Sequence, residues 1–441
     1  MKIMFVSLGC DKNLVDTEHM SGILSKRGYE FTNDELEADV IIINSCAFIH
    51  DAKEESIETI FEMARYKEEG NLKALVLAGC LAQRYDEEIE EEIPEIDILI
   101  GTTAIESIAD AIEEFFNEKH LVKSFKDVDY LAAKDSPRNI STPGGYAYLK
   151  IAEGCDKRCT YCAIPMLRGK YRSVDMESLL NEAKQLADNG VKELILVAQE
   201  TTTYGIDLYN KKSLHILLNK LSQIEGIKWI RLLYCYPEEI YDELIEEMKN
   251  NKKVLHYLDI PIQHASDEIL RRMGRRTDNK KLREIIKKLR DNIPDIILRT
   301  TLITGFPGET EKDHKIVMDF VEEMKFDRLG VFTYSEEEGT VAAKFDNQIS
   351  QEIKEKRQDE IMKLQQEVVF EKSKDLIGKE FDVLVEGRIV REDAYIGRTY
   401  MDAPGVDSKI FVESTRDIMS SDIIRARVKS TYEYDLIADE I

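Results

Sequence analysis

The sequence predicts an α/β protein with three parts: an N-terminal α/β domain built on a parallel sheet, a central partial (βα)6 barrel, and a small C-terminal all-β domain. Three observations support this prediction. Residues 1–100 repeat a strand followed by a helix, six further strand-like runs alternate with amphipathic helices, and the end of the chain holds short β-rich runs with turn signals. At 441 residues the chain is longer than one hydrophobic core usually serves.

Composition narrows the class of protein. No run approaches the ~20 apolar residues of a membrane span, and residues 1–6 lead directly into a strand rather than a signal peptide. Seven cysteines are too few for a disulfide framework in a chain of this length, so a cytoplasmic protein is expected. The net charge of −25 repels phosphate backbones and attracts basic partners, although solubility alone is an alternative reason for it.

Within residues 1–120, the predicted N-terminal domain, each of three apolar strands ends at a cysteine. These cysteines are Cys10, Cys46 and Cys80. Their spacing fits one strand-helix unit per interval, and the carboxyl ends of parallel strands lie on one edge of a sheet. The three thiols should therefore converge into a three-thiolate metal site. The alternative is three buried cysteines that act as small hydrophobic residues.

Residues 121–145 are rich in Ser, Pro and Gly and are predicted to be a linker. Residues 146–372 are predicted to form the partial barrel, because a complete eightfold barrel needs ~250 residues. Helices such as 238–249 and 311–324 separate its strands. The six strand-like runs are 146–153, 192–199, 227–235, 254–262, 296–304 and 328–335.

Residues 373–441 are predicted to form the all-β domain, after a charged helical stretch at 349–375. From residue 374 to the end there are 10 basic and 15 acidic residues, a net charge of −5. A nucleic-acid-binding module is expected to be basic. Direct binding to nucleic acid is therefore not expected here.

Three more cysteines stand within eight residues, Cys155, Cys159 and Cys162, in the spacing C-x3-C-x2-C just past the first barrel strand. Iron-sulfur clusters that only transfer electrons usually have four Cys ligands, whereas three thiolates leave one iron of a four-iron cluster open. A zinc knuckle is the alternative, but structural zinc takes four ligands and no fourth Cys or His lies nearby. We therefore expect a 4Fe-4S cluster with an open iron, at the rim where (βα) barrels place their active sites.

This spacing resembles the cysteine motif of the radical S-adenosylmethionine (SAM) enzymes. With three cysteines upstream and a small β domain at the end, the whole chain resembles the methylthiotransferases. The resemblance implies a second 4Fe-4S cluster held by Cys10, Cys46 and Cys80, a central radical SAM barrel, and a TRAM domain that recognises the substrate. It also implies that SAM serves both as radical source and as methyl donor while sulfur enters an unactivated C–H bond.

Polar residues at the ends of the predicted barrel strands are the candidate SAM contacts. They are Gln199, Glu200, Gln263, His264, Thr304, Gly305 and Gly308. Gln199 and Glu200 could hold the methionyl amine, Gln263 or His264 could reach the ribose or substrate, and the glycines would let the backbone approach the ligand. Each alone is equally typical of an ordinary loop. For His264, loop capping or substrate contact is favoured over metal ligation, and Cys235 is expected in the core.

Four segments resemble the RimO type of methylthiotransferase, which acts on an aspartate of ribosomal protein S-twelve, rather than the MiaB type, which acts on a tRNA adenosine. They are residues 7–16, 198–205, 257–264 and 334–340. Asp11 stands where Pro is common and Glu200 where Asp is common, and the second departure leaves the contact at Glu200 open. The acidic C-terminal domain suits a basic ribosomal protein better than a tRNA.

The sequence thus predicts a radical SAM methylthiotransferase that modifies an aspartate β-carbon of a basic ribosomal protein. The expected cofactors are two 4Fe-4S clusters and SAM. The expected partners are that protein, an electron donor such as flavodoxin or ferredoxin, and a sulfur source, with no membrane. The alternatives are a tRNA methylthiotransferase and a non-catalytic iron-sulfur scaffold that does not turn over SAM.

Overall fold

A computed structural model describes residues 1–390 and 392–441. The chain divides into two compact units. The first comprises Met1–Ser141, Lys150–Val174 and Ser335–Ala343, and the second comprises Thr142–Leu149, Asp175–Tyr334 and Lys344–Ile441. Across these described residues, no helix is both long and apolar enough to cross a membrane.

The first unit is built on a six-stranded parallel sheet with the strand order β2-β1-β3-β4-β5-β6. The strands are β1 (Lys2–Ser7), β2 (Glu30–Phe31), β3 (Val40–Ser45), β4 (Ala74–Gly79), β5 (Ile98–Ile100) and β6 (Val122–Ser124). Every residue of β3 and β4 is buried, because helices cover both faces of a parallel sheet. Strand β6 lies inside the range predicted as a linker, and its three residues are too few to show a periodic pattern.

Helices of the first unit cover the sheet and form a core on each face. They are α1 (Asp11–Lys26), α2 (His50–Ala64), α3 (Tyr66–Glu69), α4 (Cys80–Arg84), α5 (Asp86–Glu92) and α6 (Ile108–Glu118), with a 3-10 turn at Ile105–Ser107. The next strands are β7 (Tyr146–Lys150), β8 (Ala152–Glu153) and β9 (Arg172–Ser173). Strands β8 and β9 pair antiparallel around the short helix α7 (Ile164–Arg168).

The second unit contains an open six-stranded sheet with the order β14-β13-β12-β11-β10-β7. Its further strands are β10 (Glu193–Val197), β11 (Trp229–Leu232), β12 (Val254–Asp259), β13 (Ile297–Thr304) and β14 (Arg328–Thr333). Neighbouring strands from β10 to β14 run parallel. This arrangement confirms the predicted partial barrel of six strand-helix units.

The helices of the second unit alternate with these strands. They are α8 (Met176–Asp188), α9 (Ile206–Tyr209), α10 (Leu214–Ser222), α11 (Asp242–Asn250), α12 (Asp267–Arg272), α13 (Asn279–Asn292), α14 (Glu311–Met324) and α15 (Gln351–Lys374). Helix α14 has the predicted bounds, because the side chains of Thr310 and Asp313 form a capping box at its start. Helix α11 begins four residues later than predicted, after a 3-10 turn at Pro237–Glu239.

The C-terminal strands form a closed five-stranded barrel with the order β15-β16-β17-β19-β18. They are β15 (Glu380–Ile389), β16 (Ala394–Arg398), β17 (Ile410–Glu413), β18 (Ile423–Tyr432) and β19 (Asp435–Glu440). This confirms the predicted small all-β domain. Its interior is continuous with residues of the central sheet, since Ile195 and Trp229 share one core with Val383 and Ile410.

A buried ionic group strengthens this junction within the second unit. The carboxylate of Glu193 on β10 accepts hydrogen bonds from Arg231 and Arg398, each at 2.7 Å, and all three side chains are at most 1% exposed. Burial alone would raise the pKa of the Glu193 carboxyl, but the two guanidinium groups outweigh it and lower the pKa. One carboxylate therefore ties the central sheet to the C-terminal barrel.

Replacing Glu193 with Ala is expected to lower the free energy of unfolding by about 3–5 kcal/mol, because the buried guanidinium of Arg231 loses its carboxylate and that of Arg398 keeps only Glu386. Urea unfolding of the variant measures this loss. Glu268→Ala is the control: its ion pair with Arg271 is exposed, so a change within about 0.5 kcal/mol is expected. Equal losses in the two variants would contradict the assignment.

The buried carboxylate of Glu193 also predicts that the folding stability depends on pH. Because the folded pKa of Glu193 is lowered, its contribution is fully present above the unfolded carboxyl pKa of ~4.3. The contribution is lost as the pH falls through the folded pKa. In Glu193→Ala this part of the acid dependence of stability should be absent.

Candidate functional site

Three of the six cysteines of the first unit, Cys10, Cys46 and Cys80, lie at the carboxyl edge of its sheet. Cys46 and Cys80 directly follow β3 and β4, and Cys10 is the third residue after β1. Since β1, β3 and β4 are neighbours in the sheet, the predicted convergence follows from the topology. Cys10 is the N-cap of α1 and Cys80 begins α4, and helix N-termini favour thiolates.

Asn13, on the first turn of α1, holds the three cysteine loops together. Its Oδ1 lies 3.9 Å from the Sγ atoms of both Cys10 and Cys80. Its side-chain amide donates to the carbonyls of Leu8, at 3.2 Å, and Ser45, at 2.9 Å. Ser45 immediately precedes the third cysteine, so one fully buried side chain contacts all three loops.

The donor set fits a multi-iron cluster better than a single ion. Among the described residues, only the exposed group Glu114, Glu118 and His120 has three ligand atoms all within 4.8 Å of one another. In each cysteine triplet, at least one pair of sulfurs is therefore farther apart than this. A zinc ion with Zn–S bonds of ~2.3 Å would hold its sulfurs within about 4 Å of one another.

Burial favours the protonated form of two thiols of this triplet, Cys46 and Cys80. Burial raises the pKa of the Cys46 thiol to about 12, and burial also raises that of Cys80. A metal centre must displace these protons, so its binding releases them.

Gly9 presses against this triplet. Its φ angle is +85°, and a Cβ atom built there would lie 2.8 Å from the Cβ and 3.1 Å from the Sγ of Cys46. Any side chain at this position would therefore displace Cys46 from its present position.

Gly9→Ala is expected to reduce the iron content of the anaerobically reconstituted chain from about eight to about four per polypeptide. Gly28→Ala is a matched control, because Gly28 has φ +84° but nothing lies within 4 Å of its built Cβ. Both substitutions carry the same backbone strain. Iron analysis that finds the same content in both variants would contradict a role for Gly9 in this site.

The second triplet lies on a closed loop between β8 and α7. The backbone N–H of Cys155 donates to the carbonyl of Gly169 at 3.1 Å, and that of Cys162 donates to Cys159 at 3.1 Å. Gly154 has φ +79°, and a Cβ there would lie 2.0 Å from the carbonyl oxygen of Lys170. The two ends of the loop are thus in close contact, so the short segment that carries the three cysteines is closed.

A buried charged group lies in the same unit, and the sequence reasoning did not find it. Arg168 donates to Asp16 at 2.7 Å and to Glu153 at 3.2 Å, and Lys150 bonds both of these carboxylates. A signal was available in α1, where polar residues are buried on several faces of the helix although such residues usually face solvent. Asn13 belongs to the same helix.

The predicted SAM contacts lie in the second unit, where the structure places them at the carboxyl ends of strands in one sheet. Gln199 and Glu200 follow β10, Gln263 and His264 follow β12, and Thr304 ends β13. Within the part of the chain that the structure describes, the buried Oε1 of Gln263 and Oγ1 of Thr304 have no hydrogen-bond partner. Gln263 also has φ +70°, a strained conformation typical of functional sites. These orphaned oxygens fit a polar ligand such as SAM.

Other predicted contacts are engaged by the chain itself. Nδ1 of His264 accepts the N–H of Ser266 at 2.9 Å, and burial lowers the pKa of His264 to about 3, so the ring is neutral. Oε1 of Glu200 accepts the N–H of Thr202 at 2.7 Å. Both side chains order their own loops.

The space beside the two predicted glycines is filled by side chains of this chain. A Cβ on Gly305 would lie 2.2 Å from Cγ of Lys354, and one on Gly308 would lie 2.5 Å from Nη1 of Arg272. Glu309, which the sequence reasoning did not select, accepts the N–H groups of Gly305 and Phe306 at 2.5 and 3.1 Å. Burial raises the pKa of Glu309 to about 7.

Cys235 lies in the core, as its apolar neighbours indicate. It is fully buried, and its Sγ lies 3.2 Å from Oγ1 of Thr201.

Three family models match successive parts of the chain. The Radical SAM superfamily matches residues 149–321, the Uncharacterized protein family UPF0004 matches residues 2–101, and the TRAM domain matches residues 377–441. Among solved structures, the chain is similar to the radical SAM methyltransferase TsrM from Kitasatospora setae, with a TM-score of 0.54 and 14% identity, covering 75% of this chain and 72% of that one. This likeness shows the fold alone, and it agrees with the predicted fold class.

Curated relatives match over the full length. One from Lachnoclostridium phytofermentans is 58% identical and covers 99% of both chains; one from Acetivibrio thermocellus is 52% identical, covering 100% of this chain and 98% of its own. Both are named ribosomal protein uS12 methylthiotransferase RimO. Identity at this level over the whole length confirms the predicted resemblance, and the MiaB alternative is not favoured. The chain belongs to the RimO family of radical SAM methylthiotransferases.

Proposed function

We propose that this chain replaces a hydrogen on the β-carbon of one aspartate in ribosomal protein uS12 with a methylthio group. The observation that carries the proposal is the presence of two separate three-cysteine sites in one compact unit, each short of the four ligands of an electron-transfer cluster. The relatives at 58% and 52% identity are named for this substrate.

Each triplet would hold one 4Fe-4S cluster: Cys155, Cys159 and Cys162 in the loop after β8, and Cys10, Cys46 and Cys80 at the sheet edge. When bound, the clusters and SAM supply the electron, the radical and the transferable sulfur and methyl groups. The chain contributes three thiolates to each centre and leaves one iron without a protein ligand. Asn13 and Gly9 hold the sheet-edge cysteines in place.

For SAM, the residues proposed at the sheet end divide into two groups. Gln263 and Thr304 would bind it directly, because their orphaned oxygens lie at this end of the sheet; Gln199 is proposed beside them. Glu200 and His264 would position the loops that carry these contacts. Gly305 and Gly308 lie in the loop that Glu309 holds, and we assign them to the same site.

Charge favours a basic protein as substrate. The chain carries a net charge of −25, and its C-terminal β domain is acidic as well. A ribosomal protein is basic because it neutralises rRNA, whereas a tRNA would be repelled by this charge. The electron donor is proposed to be a flavodoxin or ferredoxin, and a separate sulfur source is required.

The proposal is tested by anaerobic reconstitution followed by incubation with SAM, dithionite and purified uS12. We expect mass spectrometry to find one methylthio group on one aspartate of uS12 and no change in tRNA incubated under the same conditions. Modification of a tRNA adenosine instead would establish the MiaB-type alternative. If neither substrate changes and SAM is not consumed, the chain is a non-catalytic iron-sulfur scaffold.

A further inference from the structure

Arg168 directly contacts the sheet-edge triplet, although it belongs to the segment that carries the other triplet. It lies at the end of α7, six residues after Cys162, and its side chain is 2% exposed. Its Nη2 donates to Asn13 Oδ1 at 2.6 Å and to the Sγ of Cys80 at 3.7 Å. Arg168 is thus a buried cation beside a sulfur of the other centre.

The carboxylates around Arg168 hold its guanidinium in place, and their negative charge does not exceed the positive charge of the group. Nη1 of Arg168 bonds Asp16 and Glu153, and Lys150 bonds the same two carboxylates. Two cations and two carboxylates balance one another before any thiolate charge is counted. The whole group is at most 9% exposed, so charges within it act at low dielectric.

We propose that Arg168 is a positioning residue that donates a hydrogen bond to the Cys80 thiolate and raises the reduction potential of the centre at Cys10, Cys46 and Cys80. This inference rests on the proposed function. Hydrogen bonds to ligating sulfurs and nearby charge are two of the factors that set iron-sulfur potentials. Reduction adds one negative charge next to a fixed positive one, so Arg168 stabilises the reduced form of the centre more than the oxidised form.

A higher reduction potential at this centre would assist the proposed reaction. Coupling of a substrate carbon radical with a methylthiolate held by the open iron would form one C–S bond, break the iron–sulfur bond that held the group, and leave one electron on the centre that supplied it. The guanidinium of Arg168 stays protonated at any physiological pH. It therefore compensates the added charge with no need for proton uptake, and it favours release of the product.

The test measures the potential of this centre alone. In full-length chain with Cys155, Cys159 and Cys162 all replaced by Ala, only the sheet-edge centre titrates, and its reduced signal is followed by EPR during stepwise reduction with dithionite. Arg168→Gln should lower the ratio of reduced to oxidised centre at fixed potential by about tenfold, a midpoint about 59 mV more negative. Arg168→Lys, which keeps the charge, should fall between.

Two further variants separate charge from folding. Asp16→Asn combined with Arg168→Met removes the cation together with one of its carboxylates, so the buried group stays balanced; a smaller negative shift than in Arg168→Gln is expected, because the hydrogen bond to Cys80 is still lost. Lys170→Gln is the matched control: Lys170 lies on the same segment, is exposed and pairs with Asp129, and its loss should leave the midpoint unchanged.

Unchanged midpoints in Arg168→Gln and in the Asp16→Asn, Arg168→Met double variant, with about four irons bound, would overturn the inference. A parent chain that binds no iron at this site would instead contradict the proposed function, so the two failures are distinguishable.

Discussion

Replacing Cys159 with Ala is expected to abolish formation of 5'-deoxyadenosine, with a loss of more than about 10³-fold against the ~10⁶-fold or greater acceleration that enzymes supply. Cys159 is the middle cysteine of the loop between β8 and α7 and is 6% exposed. With two thiolates remaining, the centre that binds SAM is not retained. Chromatography of reactions with SAM and dithionite measures the product, and Cys155→Ala and Cys162→Ala should behave alike.

Cys235→Ala is the control for this experiment. Cys235 is fully buried in the core of the second unit, so it tests the loss of a thiol without loss of a ligand. Its 5'-deoxyadenosine formation should match that of the unaltered chain. Persistence of the product in Cys159→Ala would contradict the assignment of the loop as the SAM-cleaving site.

Replacing Cys46 with Ala is expected to abolish methylthiolation of uS12 while 5'-deoxyadenosine continues to form. The reason is that Cys46 belongs to the sheet-edge triplet, where Gly9 and Ser56 are among its neighbours, and not to the loop between β8 and α7. Both products should be quantified in the same reaction, so that the two steps are compared directly.

The decisive result is whether Cys46→Ala loses methylthiolation of uS12 while it still forms 5'-deoxyadenosine. Methylthiolated uS12 from Cys46→Ala would show that the sheet-edge triplet is not needed for sulfur transfer. Loss of 5'-deoxyadenosine as complete as in Cys159→Ala would show that the two triplets do not form independent centres. Cys235→Ala should retain both products.

The convergence of the sheet-edge cysteines was predictable because it depends only on topology. Three strands that each end in a cysteine, separated by one helix, must place their carboxyl ends on one edge if the sheet is parallel. The observed order of β1, β3 and β4 meets that condition. Helix α14 was predictable for a local reason, since its capping box lies within its first residues.

The buried charges were not predictable from local pattern. Arg168 meets Asp16 across 152 residues of sequence and Cys80 across 88. No periodicity or spacing relates these positions. They could be selected only after the fold had brought α7 against the start of α1.

The packing around the glycines after β13 was not predictable from local pattern either. Close approach of a ligand was a sound expectation for a glycine-rich strand end. The space is taken instead by Lys354 and Arg272, from α15 and α12, which no local pattern relates to Gly305 and Gly308. The sequence thus predicted which residues follow the strands of this sheet, but not which side chains pack beside Gly305 and Gly308.

The central claim is that the chain holds two iron-sulfur centres, each with one iron left open to an exogenous ligand. The most direct test is iron analysis of the anaerobically reconstituted full chain together with EPR spectra recorded with and without SAM. The account predicts about eight irons per polypeptide and a spectrum that changes when SAM is added. About four irons per polypeptide, or a spectrum indifferent to SAM, would contradict it.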